Sequence, residues 1–308
     1  MKVLVVGGNG FIGAHLVNAL QLRGDEVSVL DRLPPRSGTK RVGVLYVQGD
    51  FHDTAVLGQL LPGVDQVFHL ASCTVPSTAE ADPVLDVQGN LLGTHALLAA
   101  MRDHHVRRLC YFSSGGTVYG NPDQVPVPET HPLRPISSYG IVKTSIEHYL
   151  SMFQRQGWLQ PVIVRPSNPY GPGQAMGGIQ GAVAVFLGKA LLQQPVRIWG
   201  DGEIVRDYIY IDDLARLALA ATDSPHTGAF NAGSGVGTSL NELCRIIRRV
   251  TGTPLKVDYE PSRTFDVKEI VLDVGRASRE LGWSPQVTTE AGVALMWSSI
   301  AGERRSTA

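Results

Sequence analysis

The sequence predicts an α/β fold, in which a doubly wound parallel sheet is followed by a smaller, interwoven C-terminal region. Short apolar strand patterns alternate with helical patterns through the first half of the chain, which is typical of a parallel sheet with helices on both faces. A glycine-rich turn directly follows the first strand pattern. After Arg165 turn-forming residues become frequent and the elements become shorter. We therefore predict a sheet domain over residues 1–167 and a smaller region over 168–308, some of whose segments return to the sheet.

The first strand pattern, Lys2–Val6, is a short apolar run rich in β-branched residues. The glycines after it have two overlapping spacings, Gly8-x-Gly10-x-x-Gly13 and Gly7-x-x-Gly10-x-x-Gly13, and a helical pattern follows. Such a strand, turn and helix place bare backbone and helix amides against a pyrophosphate. This order of elements predicts a Rossmann-type dinucleotide site.

A second strand pattern, residues 26–30, ends at Asp31, about twenty residues beyond the glycines. A carboxylate at this point accepts hydrogen bonds from adenosine ribose hydroxyls and repels a 2′-phosphate, so NAD is favoured over NADP. The adjacent Arg32 weakens this preference for NAD, because an arginine at this point can pair with the 2′-phosphate of NADP. The structural interpretation is that Asp31 only begins the turn before Pro34 and Pro35.

Further strand and helix patterns continue the alternation. Strands are predicted at 42–47, 64–70, 108–114 and 161–165, and helices at 90–104, 138–153, 240–250 and 276–281. In an open parallel sheet, ligands bind outside the carboxyl ends of the strands, so the turns after these strands form the candidate site.

Tyr139 and Lys143 lie four residues apart, on one face of a predicted helix. A nearby ammonium favours the phenolate, so Lys143 is expected to lower the pKa of Tyr139 from its ordinary ~10 toward neutrality. Such a phenol can take a proton from a sugar or alcohol hydroxyl while a nicotinamide accepts the hydride. The spacing is common by chance, and its value comes from the glycine-rich turn upstream.

Composition excludes several classes of partner. With 308 residues and a formal net charge of −1, the chain has no basic excess for nucleic acid or an anionic membrane. No apolar run approaches the ~20 residues that cross a membrane. Cys73, Cys110 and Cys244 are scattered, which is typical of reduced thiols in the cytosol. We expect a cytoplasmic protein without a metal site.

A series of short motifs also runs through nearly the whole chain in one order. They are Gly7-x-x-Gly10-x-x-Gly13, Asp31, Gly49-Asp50, His69-Leu70-Ala71, and residues 90–94, 113–120, 139–143, 165–172, 198–202, 205–208 and 273–283. In this order they resemble the extended short-chain dehydrogenase/reductase family. Within it, the chain is most similar to nucleotide-sugar 4-epimerases of the UDP-galactose 4-epimerase type.

For NAD, the resemblance implies that Asp50 and Phe51 lie against the adenine, and that Ala71 and Ser72 lie near the pyrophosphate and ribose. Lys143 would bridge the nicotinamide ribose and support Tyr139. The cofactor residues are then Gly7, Gly10, Phe11, Ile12, Gly13, Asp31, Arg32, Asp50, Phe51, Leu70, Ala71, Ser72, Asn90, Ser113, Tyr139, Lys143 and Pro166.

For the substrate, the resemblance implies that Asn168, Arg206 and Arg263 bind the diphosphate of a UDP-sugar. Arg197 and Trp199 would flank the strand whose backbone reads the uracil. Arginine suits bidentate phosphate recognition independently of any family. The alternative for each arginine is a surface salt bridge.

The chain departs from the family at Gly115, where the epimerases commonly carry a serine or threonine that relays the sugar proton to the tyrosine. Thr117 or Ser114 takes that role, or Tyr139 contacts the sugar hydroxyl directly, and we favour Thr117. The alternative is that both hydroxyls only hold the strand end. No carboxylate stands at 115–117, so the elimination catalysed by related dehydratases and decarboxylases lacks its acid and base.

The resemblance therefore implies an NAD-dependent epimerase that inverts C4 of a UDP-hexose, UDP-N-acetylhexosamine or UDP-hexuronate through a 4-keto intermediate, in nucleotide-sugar or polysaccharide biosynthesis. It also implies a homodimer paired through helices 90–104 and 138–153. The alternatives are a dehydratase, a decarboxylase or a net oxidoreductase of the same family, and a non-catalytic NAD sensor.

Overall fold

Seven parallel strands form the central sheet of the computed structural model, which describes residues 1–36, 38–178, 181–262 and 267–306. The strands, in chain order, are β1 (Lys2–Val6), β2 (Glu26–Asp31), β3 (Leu45–Gln48), β4 (Gln66–His69), β5 (Arg108–Phe112), β6 (Gln160–Pro166), β7 (Asn168–Tyr170), β8 (Val196–Trp199), β9 (Val205–Tyr210), β10 (Gly228–Ala232), β11 (Gly237–Ser239), β12 (Val257–Glu260) and β13 (Glu269–Ile270).

Helices follow most of the strands. They are α1 (Phe11–Leu22), α2 (Thr54–Leu60), α3 (Pro76–Ala81), α4 (Pro83–Asp86), α5 (Gly93–Asp103), α6 (Ser138–Arg155), α7 (Ala182–Leu191), α8 (Ile211–Asp223), α9 (Leu240–Thr251), α10 (Gly275–Leu281) and α11 (Thr289–Ser306). A π-helical turn, Val87–Leu92, joins α4 to α5, so the helix predicted at 90–104 begins in wider coils.

The strand order of the main sheet is β10-β6-β5-β4-β1-β2-β3, with every neighbouring pair parallel. The chain moves outward from β1 through β2 and β3, and then returns to the other side of β1 with β4. The switch point between β1 and β4 opens a crevice at the carboxyl ends of these strands. The predicted doubly wound α/β sheet is confirmed.

Two apolar layers cover the sheet, because successive strand residues point to opposite faces. Val3 and Val5 pack in the layer that contains α1 and α8. Leu4 and Val6 pack in the layer that contains α5 and α6. These four side chains are at most 1 % exposed, so the near-continuous apolar run of β1 follows from burial on both faces.

The later part of the chain adds two small sheets and returns one strand to the main sheet. β9 pairs with β7, β11 and β13, while β8 pairs with β12. β10 pairs with β6 in parallel and so extends the main sheet. No helix in the described part of the chain is both long and apolar enough to cross a membrane.

Candidate active site

A pocket of about 350 Å³ lies at the carboxyl ends of β1, β2 and β4, at the switch point of the sheet. Nine of the predicted cofactor residues line it: Gly7, Gly10, Asp31, Arg32, Phe51, Leu70, Ala71, Ser72 and Tyr139. Its lining also includes residues that sequence reasoning did not select, namely Asn9, Leu30, Leu33, Pro34, Arg36, Gly49, Cys73, Thr74 and Val75. The other predicted cofactor residues lie outside this lining.

The glycine-rich turn forms the floor of the pocket. Gly7 has a φ of +86°, and a Cβ at this residue would lie 2.5 Å from the backbone nitrogen of Ala71. A Cβ on Gly13 would lie 2.4 Å from the carbonyl oxygen of Gly7. Gly10 caps α1 without a side-chain hydrogen bond, so the first amides of the helix are open to an anion. Side chains at Gly7 and Gly13 would collide with neighbouring backbone, so glycine lets the turn pack closely and leaves the helix amides exposed to a dinucleotide pyrophosphate.

Asp31 ends β2 and lines the pocket. One carboxylate oxygen accepts from the backbone nitrogen of Asn9 at 2.9 Å, and the other accepts from that of Leu33 at 3.0 Å. Asp31 thus does begin a turn, and it also has spare acceptor capacity at the pocket. The two interpretations of Asp31 are compatible.

Asn90 acts from behind the pocket wall. Its side chain is buried, and its oxygen accepts from the backbone nitrogen of Cys73 at 2.8 Å. Its amide nitrogen donates to Thr74 and Asp86, each at 2.8 Å. Asn90 therefore fixes the loop at 72–75, part of the pocket lining.

Tyr139 lies in the first turn of α6, where the Ser137 hydroxyl caps the helix by accepting from Gly140 at 3.2 Å. Its half-buried side chain lines the pocket. Lys143, one turn later, is buried, and its ammonium donates to the carbonyl oxygen of Phe112 at 2.9 Å. The ammonium lies 5.6 Å from the centroid of the Tyr139 ring, so helical spacing brings the two side chains together.

The prediction that Lys143 lowers the pKa of Tyr139 is wrong for the polypeptide by itself. Burial, followed by the negative charge of Asp86, raises the pKa of Tyr139 to about 12. Burial also lowers the pKa of Lys143 to about 8, so the same desolvation weakens the cation. Ionising Tyr139 near neutral pH needs positive charge beyond that of Lys143.

Backbone crowding explains the absence of a side chain at Gly115. A Cβ there would lie 2.6 Å from Cδ1 of Leu272 and 2.9 Å from the carbonyl oxygen of Arg165. The Ser113 hydroxyl is buried and donates to Glu147 at 2.5 Å. The buried Thr117 hydroxyl oxygen has no hydrogen-bond partner among the described residues. A Cβ added to Gly140 would lie 2.9 Å from the Thr117 carbonyl oxygen, so the backbone of Thr117 packs against the first turn of α6, but Thr117 is not part of the pocket lining.

The predicted substrate residues lie on β7, β8 and β9. Asn168 donates to the carbonyl oxygen of Asp207 at 2.9 Å, and Arg206 donates to that of Val205 at 2.9 Å. On β8, the side chain of Arg197 is 67 % exposed and its Nε lies 3.5 Å from Glu260, which matches the salt-bridge alternative. Trp199, at the end of the same strand, is 39 % exposed. Arg263 lies outside the described residues.

A buried polar network around Arg165 was not predicted. Arg165 on β6 forms a salt bridge to Glu147 at 2.5 Å and donates to the hydroxyl of Tyr119 at 2.8 Å. Tyr119 in turn donates to Asn231 on β10 at 2.6 Å. The sequence contained one indication of this network, because Glu147 stands four residues after Lys143 and so lies on the same face of the helix. No group of three His, Cys, Asp or Glu side chains in the described ranges could hold a metal ion.

A doubly wound sheet, a glycine-lined pocket at its switch point and a Tyr–Lys pair at the pocket define a nicotinamide-dependent enzyme that acts on a hydroxyl-bearing substrate. Residues 3–233 match the family described as the NAD dependent epimerase/dehydratase family. The chain belongs to this family.

Individual relatives are similar over nearly the full chain. A UDP-glucose 4-epimerase of Mycolicibacterium smegmatis is 36 % identical over 304 residues, covering 96 % of each chain. The crystal structure of a UDP-glucose 4-epimerase of Thermotoga maritima with UDP-glucose has a TM-score of 0.94 and 36 % identity, covering 99 % of this chain and 100 % of that one. The Thermus thermophilus UDP-glucose 4-epimerase in complex with NAD has a TM-score of 0.91 and 35 % identity, covering 98 % and 99 %.

Proposed function

We propose that this protein is an NAD-dependent epimerase that inverts C4 of a UDP-sugar. The observation that carries the proposal is the position of Tyr139, which lines the glycine-floored pocket with Lys143 buried next to it. The relatives support the same reaction, since those described above are UDP-glucose 4-epimerases.

Residues on three sides of the pocket would hold the cofactor. The Gly7 turn and the open amides of α1 would hold the pyrophosphate, and Asp31 would accept hydrogen bonds from the adenosine ribose. Phe51, which is 3 % exposed, offers an apolar wall for the adenine. Bound NAD would supply reversible hydride transfer between C4 of the sugar and its positively charged nicotinamide ring. Because the hydride returns to C4, the inversion involves no net oxidation.

Tyr139 is the proposed base for the 4-hydroxyl proton. Its raised pKa means that it depends on positive charge at the pocket, and the Lys143 ammonium supplies one such charge below about pH 8. The proton passes to Tyr139 directly or through Thr117, whose hydroxyl has no partner of its own in the described part of the chain. Lys143 thus supports the base electrostatically and orients the first turns of α6 through Phe112.

The diphosphate would be held by Asn168, Arg206 and Arg263, and the uridine would lie near Arg197 and Trp199. A tether at the diphosphate leaves the sugar free to turn between the two hydride transfers. Positions 115–117 carry no carboxylate, which disfavours a dehydratase or a decarboxylase.

The test is product analysis by NMR with UDP-glucose, UDP-N-acetylglucosamine and UDP-glucuronate, without added cofactor. We expect one of these to be converted to its C4 epimer, with no accumulation of NADH. Tyr139→Phe should lose turnover by a factor of ~10²–10⁴ and keep its NAD, because only the proton acceptor is removed. Tyr46→Phe, on β3 and outside the pocket lining, is the control and should keep full activity. A keto sugar, a pentose product or an unimpaired Tyr139→Phe variant would refute the proposal.

We also propose a homodimer paired through α5 and α6. Leu92, at the end of the π-helical turn before α5, and Ile141 and Tyr149 on α6 are 39–56 % exposed. The rings of His95 on α5 and Tyr149 are 4.2 Å apart at their centroids. An apolar surface of this kind is typical of a subunit interface. Light scattering should give twice the chain mass, and Ile141→Glu should reduce it to that of one chain.

A cytoplasmic location, supported by the three free cysteines, is tested by cell fractionation.

A further inference from the structure

A fully buried carboxylate, Asp86, lies behind the catalytic pair. It ends α4, and its side chain is 0 % exposed. One of its oxygens accepts from the Thr74 hydroxyl at 2.7 Å and from the Asn90 amide at 2.8 Å. The other oxygen accepts from the hydroxyl of Ser138 at 2.9 Å. Asp86 therefore joins the pocket loop to the residue that precedes Tyr139.

The hydrogen bonds to Asp86 in the described part of the chain all come from neutral donors. Glu147, the other buried carboxylate near Lys143, is already paired with Arg165, which donates to both of its oxygens. Burying a carboxylate without a cation costs free energy, and such a charge acts strongly on its neighbours because little water screens it. Lys143 stands five residues after Ser138, the residue on α6 that Asp86 contacts, and the charge of Asp86 acts to raise the pKa of Lys143 against the effect of burial.

Several other titratable groups face this cluster from the elements packed around it. They are Cys73 in the pocket loop, Glu80 on α3, His69 on β4, Tyr111 on β5, and Tyr139, Lys143 and Glu147 on α6, with Arg165 on β6. His69 is buried and its pKa is lowered to about 3, chiefly by burial, so it adds no positive charge near neutral pH. Among the described groups of this cluster, Asp86 and Lys143 are then the two buried opposite charges without a salt-bridge partner.

We propose that Asp86 is a positioning residue of the reaction, whose carboxylate fixes the first turn of α6 to the pocket loop and acts as the internal counter-charge of Lys143. This inference rests on the proposed function for its catalytic meaning. It assigns Asp86 two opposed effects, since a negative charge favours the ammonium of Lys143 and disfavours the phenolate of Tyr139.

The direct test measures Lys143 rather than turnover. Asp86→Asn keeps the shape of the side chain and can keep its hydrogen bonds, because the Ser138 hydroxyl can accept where it donated. NMR of isotope-labelled lysine, with NAD saturating, follows the Lys143 titration, and Lys143→Met identifies its resonance. We expect the Lys143 midpoint in Asp86→Asn to fall by about one pH unit relative to wild type, the low end for a nearby buried charge.

Glu80→Gln is the matched control. Glu80 also accepts from Ser138, at 3.2 Å from its backbone nitrogen, but it is exposed, so water and salt screen its charge. The control should leave the Lys143 midpoint in place. An unchanged or raised midpoint in Asp86→Asn, with the protein folded, would overturn the counter-charge role whatever the reaction is.

The second measurement is the pH profile of kcat for the converted sugar. Removing Asp86 lowers the pKa values of both Tyr139 and Lys143, so both limbs of the profile should move to lower pH by a similar amount. If Asp86 had only a structural role, kcat would fall by the same factor at every pH and the limbs of the profile would stay at the same pH. That result would also refute the proposal. Absence of epimerisation in the wild type would instead refute the proposed function, while the lysine titration would still decide the role of Asp86.

Discussion

Restoring the family hydroxyl at position 115 should damage this protein. In Gly115→Ser, the new Cβ would lie 2.6 Å from Leu272 Cδ1, 2.9 Å from the Arg165 carbonyl oxygen and 3.1 Å from that of Pro166. Leu272 can rotate away, but the two carbonyl oxygens belong to β6 and can move only with the sheet. Gly115 also donates its own backbone nitrogen to Pro166 at 2.8 Å, which holds the two segments together.

Overpacking of this kind costs about 1–3 kcal/mol. Each kcal/mol lowers the melting temperature by roughly 2–4 °C in domains of 150–250 residues, so we expect a loss of about 2–12 °C. Activity should fall as well, because Thr117 and the neighbouring Gly140 must shift with the strand end. Calorimetry measures the melting temperature, and the NMR assay measures turnover.

Gly116→Ser provides the control, since a Cβ at Gly116 meets no atom within 4 Å. It carries the same added hydroxyl one residue along and should melt within about 2 °C of the wild type, because substitutions that meet no neighbouring atom usually change stability by less than ~0.5 kcal/mol. If Gly115→Ser melts like the wild type and turns over faster, the crowding argument fails, and position 115 retains the family role.

Two further predictions concern the groups around the base. Thr117→Val should reduce kcat by at least ~10-fold with little change in melting temperature, because it removes the relaying hydroxyl. Thr117→Ser, which keeps a hydroxyl, should have most of the wild-type kcat. Equal kcat values for the wild type and both variants would show that the proton reaches Tyr139 without Thr117. Arg165→Met leaves Glu147 buried without a cation and should cost about 3–5 kcal/mol in urea denaturation, while the double variant with Glu147→Gln should recover part of that loss. Additive effects of the two substitutions would contradict the coupling.

Local patterns in the sequence were sufficient for much of the fold. The apolar run at Lys2–Val6 and the glycines after it identified β1, the turn and α1, because strand alternation, helical spacing and glycine turns are properties of adjacent residues. The helix bearing Tyr139 was predicted to begin at residue 138, where α6 begins. Nine of the predicted cofactor residues line one pocket, since the carboxyl ends of parallel strands meet at one edge of a sheet.

Relations between distant residues were decided only by the tertiary structure. Asp86 meets Ser138 across 52 positions of the chain, and β10 pairs with β6 although two small sheets intervene in sequence. The crowding at Gly115 depends on Leu272 in the last third of the chain. The pKa of Tyr139 had the opposite direction from the prediction, because a pKa is set by desolvation and by every nearby charge. The sequence spacing placed the cation beside the phenol, but the fold determined how deeply both are buried and placed a carboxylate next to them.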